Sequence, residues 1–156
     1  MYKRILASFA AVLLLGAGHS ALYRDSSGRI VGRASQEGGR TVYRDGSGRI
    51  VGTASQQGNR TVYRDSSGRI SGSSQQEGSR TVYRDSSGRI SGTSTAQGNS
   101  NVYRDSSGRI QGRATREGGR TVFRNGNGQI KGSVNQVSPQ PYRDAWGMSK
   151  TKESRR

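Results

Sequence analysis

Tyrosine and arginine carry the one binding chemistry that this sequence repeats. Tyr23, Tyr43, Tyr63, Tyr83 and Tyr103 stand twenty residues apart, and Arg29, Arg49, Arg69, Arg89 and Arg109 follow each of them at a constant distance. An aromatic ring stacks on a sugar or a base, and a guanidinium is a planar fork shaped for phosphate, sulfate or carboxylate. Ten such groups in register form a candidate ladder for an anionic ligand. The ladder also has a structural reading, in which tyrosine shields the outer face of a thin sheet and arginine keeps the edge soluble and unpaired.

Other chemistry is poorly provided for. The single histidine is His19 and there is no cysteine, so a serine nucleophile has no imidazole base and no thiolate can hold a metal. The recurring acids, Asp25, Asp45, Asp65, Asp85, Asp105 and Asp144, each precede a small residue and a glycine, where aspartate caps a turn. One carboxylate per unit beside two arginines falls short of the 6–8 oxygens, roughly, that calcium takes. The expectation is a protein that is no enzyme and carries no cofactor or metal.

The elements that must position the ladder are written in the period. Six units begin at Tyr23, Tyr43, Tyr63, Tyr83, Tyr103 and Phe123, and four of them read YRDSSGRI without change. A period of twenty residues is one supersecondary unit stacked on copies of itself. Aspartate, two small residues and glycine match a type I turn closed by a left-handed glycine, at Gly28 and its equivalents. A second glycine, at 38, 58, 78, 98 and 118, turns the chain back. The sequence therefore predicts an all-β protein, with repeated 20-residue β-hairpins forming an antiparallel meander sheet or a β-solenoid.

In the simplest hairpin register Asp45 faces Arg49, Arg44 faces Ile50, Tyr43 faces Val51 and Val42 faces Gly52. The sixth unit supports the turn pairing, since Asp and Arg change there together, to Asn125 and Gln129. Strand alternation then places Val42, Ile50, Gly52 and Ala54 on one face and Thr41, Tyr43, Asp45 and Arg49 on the other. Position 51 and its equivalents vary from Val31 to Gln111 and Lys131, as solvent-facing residues do. The aliphatic face is thus the expected core and the tyrosine face the expected outside. From Leu22 onward Leu, Ile, Val and Phe number 17 in 135 residues, so the expected core is thin and self-association would help to complete it.

Tyr, Asp, two spacers, Gly, Arg and an aliphatic residue, followed by Gly and Thr before the next aromatic, resemble the tyrosine-aspartate (YD) repeats of bacterial surface and toxin-shell proteins. The resemblance covers residues 22–134, with an arginine inserted between Tyr and Asp. It implies antiparallel β-hairpins in an extracytoplasmic setting. The shell and the enclosed toxin of that family have no counterpart in six units.

The flanks complete the plan. MYKR followed by ILASFAAVLLLGAG and HSA has the order of a secretory signal peptide, expected over residues 1–21 and removed between Gly18 and Ala21. It is too short for a comfortable membrane span, so no transmembrane segment is expected in the mature chain. Residues 135–156 break the period at two prolines, and YRDAWG at 142–147 restarts it as a truncated seventh repeat or cap before a basic tail, expected to be disordered. Formal net charge is +16, and +14 without Lys3 and Arg4. A polyanion is the expected partner, and export makes lipopolysaccharide or an acidic polysaccharide of the periplasm or extracellular space a better match than nucleic acid. The alternative is a structural protein acting through self-association or protein contacts.

Overall fold

The computed structural model describes residues 19–137, which form twelve strands: β1 (Ser20–Asp25), β2 (Ile30–Glu37), β3 (Arg40–Asp45), β4 (Ile50–Gln57), β5 (Arg60–Asp65), β6 (Ile70–Glu77), β7 (Arg80–Asp85), β8 (Ile90–Gln97), β9 (Ser100–Asp105), β10 (Ile110–Glu117), β11 (Arg120–Asn125) and β12 (Ile130–Val137). The first strand thus begins at Ser20, within the leader expected over 1–21, and the last ends at Val137. Most of that leader, the seventh-repeat motif and the basic tail lie outside the described residues.

Both turns follow from local chemistry. In the first repeat the Asp25 N–H donates to the Arg29 carbonyl at 3.0 Å and the Gly28 N–H to the Asp25 carbonyl at 3.1 Å, with Gly28 at φ 82°. The Asp25 carboxylate accepts from the backbone N–H groups of Ser27 and Arg29 at 2.9 and 3.0 Å, which fixes the loop. Asn125 takes the same role toward Asn127 and Gln129, and its amide donates to the Gln129 side chain at 3.0 Å. The joint change in the sixth unit preserves that contact. At the opposite end the loops are two residues long, with Glu37 paired to Arg40 across Gly38 and Gly39. Gly58, Gly78, Gly98 and Gly118 hold positive φ at the first loop position, as type II′ hairpins require.

The strand register departs from the simple hairpin by one residue. Arg44 does face Ile50, but Tyr43 faces Gly52 and Val42 faces Thr53, because Val51 is bulged out of the ladder. The same shift occurs in the five other hairpins that carry the aspartate turn. A slip of one residue exchanges the faces of everything beyond it. Ala54 therefore joins Thr41 and Tyr43 instead of Val42, and the sorting of the faces expected from the sequence is reversed.

The sheet is neither an open meander nor a solenoid. It closes into a barrel of twelve antiparallel strands, with β1 paired to β12 from Ser20↔Val137 to Asp25↔Gly132. The line of partners through Ala21 passes Ala34 and arrives at Tyr43, two places beyond Thr41, which is the repeat equivalent of Ala21. Six such steps return to β1 with a shear of twelve residues, equal to the strand number. Equal shear and strand number correspond to strands tilted roughly 35–45° and a lumen wider than that of an eight-stranded barrel. A bulge at the same place in every hairpin adds twist and curvature evenly, so identical units bend the sheet until it meets its own first strand.

Tyrosine lines that lumen. Ala21, Ala34, Ala114, Val134, Tyr103 and Phe123 form one buried cluster, with Tyr23, Tyr43 and Tyr83 packed against it. These residues come from opposite walls and can meet only inside. On the outward register Val42, Val82, Val102 and Val122 are also sealed. Arg40 and Arg44 flank Val42 on β3, and arginine stems can cover valine while the charged heads reach water. Ile50 and its five equivalents, expected in the core, are instead 46–51% exposed in a ring at the aspartate-turn end.

Candidate functional site

Two regions of the barrel carry polar chemistry: the arginines outside and a cavity inside. Arg29, Arg49, Arg69, Arg89 and Arg109 lie at the aspartate turns and are exposed. Of these, Arg49 pairs with Asp45 at 3.1 Å while keeping 82% of its side chain exposed. The arginines that follow the tyrosines serve the fold. Arg24, Arg64, Arg84 and Arg104 donate to the carbonyls of Gly28, Gly68, Gly88 and Gly108 at 2.7–3.1 Å. Arg44 and Arg124 pair with Glu37 and Glu117 at 3.1 and 3.0 Å.

Four of the turn aspartates, Asp45, Asp65, Asp85 and Asp105, are held as carboxylates. A hydrogen bond from Ser47 is the main reason that Asp45 is lowered to about 2, helped by the backbone and side chain of Arg49. Asp65 and Asp85 are lowered for the same reason by Ser67 and Ser87, and Asp105 chiefly by the Arg109 backbone N–H. Their turn-bracing contribution is complete above the ordinary aspartate pKa of 3.8 and fades as pH falls below it, for Asp45 toward about 2. A group that gives up its proton this readily suits bracing a turn better than general acid catalysis. Among the described residues no group of three or more His, Cys, Asp or Glu could hold a metal ion.

Tyr23, Tyr43, Tyr63, Tyr83 and Tyr103 face the lumen, so the structure does not bring them together with the five turn arginines on one surface. Burial raises the pKa of each of these tyrosines, to about 12 for Tyr23 and Tyr63. Tyr63 and Tyr83 share hydrogen bonds with the Ser74 and Ser94 hydroxyls at 2.7 and 3.1 Å. The Tyr43 hydroxyl is buried without a partner. A buried hydroxyl left unbonded costs about 1–3 kcal/mol, whereas a satisfied one contributes about 1 kcal/mol. Tyr43→Phe should therefore raise the urea midpoint and Tyr63→Phe should lower it. Phe123 already occupies the equivalent position in the sixth unit. Equal shifts in both variants would contradict this assignment.

On the β5–β9 side the lumen is not filled. A cavity of about 410 Å³ is lined by Tyr63, Tyr83 and Tyr103, by Ser74 and Ser94, by threonines and amides, and by Arg116. Asn59, Asn99 and Arg116 are exposed and lie at the glycine-turn end, where the cavity opens. Sequence reasoning does not reach these residues. The available signal is departure from the repeat at inward positions, where Ser74 and Ser94 replace the alanine of Ala34, Ala54 and Ala114.

No family model and no curated protein matches the chain. Among solved structures the barrel is similar to a protein from Arabidopsis thaliana, with a TM-score of 0.55 and 14% identity over 79% of this chain and 82% of that one. At that identity the likeness concerns the fold alone. It corrects the resemblance to YD repeats together with the closure of the sheet: those repeats spiral into a shell of bacterial proteins, whereas six units here complete a ring of a kind found in a plant protein.

Proposed function

We propose that the chain is a non-enzymatic, exported binding protein that contacts anionic envelope or extracellular glycans through the arginines of its outer surface, without the tyrosines. The observation that carries this reading is the charge of the barrel. Residues 20–137 hold eighteen arginines and Lys131 against eight carboxylates. Three ion pairs form among the described residues, which leaves most guanidinium groups without a carboxylate. The turn arginines Arg29, Arg69, Arg89 and Arg109 ring one end of the barrel, a geometry that meets a flexible polyanion from any direction.

The surroundings of that surface are aqueous in character. No helix among the described residues is long and apolar enough to cross a membrane. The strands are six or eight residues long, shorter than the ~9–11 of a spanning strand. Outward positions such as Arg33, Ser35, Arg40, Ser55 and Arg60 offer no lipid-facing apolar band.

Retention on heparin or lipopolysaccharide resin should fall steeply as salt rises, because each neutralised anionic group releases counterions. Replacing Arg29, Arg69, Arg89 and Arg109 together by Gln should reduce both the retention and its salt slope. The fold accommodates glutamine at this position, where Gln129 stands in the sixth unit. Retention that ignores salt and the four substitutions would remove the proposal. The alternative of assembly through open strand edges loses support in a closed sheet, which has no unpaired edge.

A further inference from the structure

We propose that the cavity on the β5–β9 side of the lumen is a binding site for a small polyhydroxylated ligand, about one or two sugar rings in size. The first observation is the distribution of changes between repeats. Position 34 and its equivalents face the lumen and read Ala34, Ala54, Ser74, Ser94, Ala114 and Val134. The two serines fall where the cavity is, while Val134 and Phe123 fall in the buried apolar cluster, which meets the cavity at Tyr103 and Ala114. Asn101 replaces the threonine of Thr41, Thr61, Thr81 and Thr121, and Arg116 replaces the glutamine of Gln36, Gln56 and Gln76. Both line the same cavity. The units that begin at Tyr63 and Tyr83 keep YRDSSGRI unchanged at the turn while the inward alanine becomes serine, and the next unit, equally unchanged at its turn, keeps Ala114 but carries Arg116. Polar residues gathered on one wall, with apolar ones closing the other, make a shaped site within an otherwise repetitive barrel.

The second observation is the chemistry of the lining. Hydroxyls and amides each donate and accept, as the alternating hydroxyls of a sugar demand, and tyrosine rings offer a flat apolar surface to its C–H face. Tyr83 and Tyr103 lie side by side in the wall, with ring centroids 6.5 Å apart. The volume of about 410 Å³ falls in the usual range of small-molecule sites, roughly 300–1,000 Å³. No carboxylate lines the site and Arg116 is its one charge, set at the mouth. A neutral sugar therefore fits throughout, and a single carboxylate on the ligand is welcome at the entrance.

Calorimetric titration of the full chain with neutral hexoses, a uronic acid and their disaccharides tests the site. At least one of them should bind saturably. The double variant Ser74→Ala, Ser94→Ala should weaken that binding at least about tenfold, as expected for losing two hydrogen-bonding hydroxyls. It should stay folded, since alanine is native at the equivalent positions 34, 54 and 114, with a melting temperature lowered by a few degrees because the Tyr63 and Tyr83 hydroxyls lose their partners. Arg116→Gln should weaken uronic acid more than neutral sugar. Replacing the turn arginines, which should reduce polyanion retention, should leave the titration unchanged, so the two proposals stand or fall separately. A panel without saturable binding, or binding that survives the double serine variant, would overturn the site.

Discussion

Raising the pH from about 9 to about 12 should unfold the barrel in one cooperative step. Five tyrosines face the lumen, Tyr103 buried and the other four partly buried, and this disfavours their charged form, with Tyr23 and Tyr63 raised to about 12 from 10.0. Tyr43, Tyr83 and Tyr103 are raised for the same reason, and for Tyr43 and Tyr103 neighbouring tyrosines add to it. The unfolded chain releases phenolic protons near 10.0 while the folded chain keeps them. Stability is therefore whole below that pH and drains away as pH climbs toward the folded values. For Tyr23 and Tyr63 a shift of this size removes about 2–3 kcal/mol each by pH ~12. Tyr43, Tyr83 and Tyr103 act in the same direction, against the margin of about 5–15 kcal/mol that a domain has to spare. Phenolate absorbance should stay low to pH ~10 and then rise together with the loss of the far-ultraviolet dichroism of the sheet. Phenolates that titrate near pH 10 while the dichroism persists would show that the tyrosines face water.

Gly52→Ala should destabilise the barrel by about 1–3 kcal/mol, lowering the melting temperature by several degrees. Gly52 has an ordinary backbone conformation, so its requirement is space. A Cβ there would meet the Arg64 carbonyl oxygen at 2.6 Å across the β4–β5 pairing, where backbone meets backbone and neither can step aside. Gly32, Gly72, Gly92 and Gly132 face the same obstacle in their own repeats, which accounts for the glycine in those units. Gly46→Ser is the control. The nearest atom to a Cβ at Gly46 is the Ile30 carbonyl oxygen at 3.5 Å, and serine is native at the equivalent positions 26, 66, 86 and 106. That variant should melt within about a degree of the parent, as surface changes do. Equal losses in the two would show that the close approach does not limit the fold.

Arg44 opposite Ile50 is legible from the sequence, and Tyr43 opposite Gly52 is not, although one residue separates the two pairs. The bulge at Val51 divides them. Its traces are a variable residue at 51 and a constant glycine at 52, and a regular hairpin with a solvent-facing residue beside a turn would leave the same traces. Without the bulge, strict alternation sends Tyr43 outward and Ile50 inward, and it joins in one ladder tyrosines and arginines that the barrel separates. The Ser74 and Ser94 departures stand equally in plain view. They acquire meaning only because alternate strand positions all face one lumen.

Turn chemistry, strand count and period were determined by the sequence alone, because they depend on residues within a few positions of one another: aspartate reaching its own loop, and glycine at positive φ. Closure of the sheet and the identity of its inner face were decided by the tertiary structure. The two hairpin registers of a repeat, bulge included, advance the ladder by two residues, and whether six such steps add to an open ribbon, a coil or a ring is fixed when β12 meets β1. Local residue types carry no term for that sum. Once the ring is shut, its lumen is wide enough that tyrosine, rather than isoleucine, is the side chain that lines it.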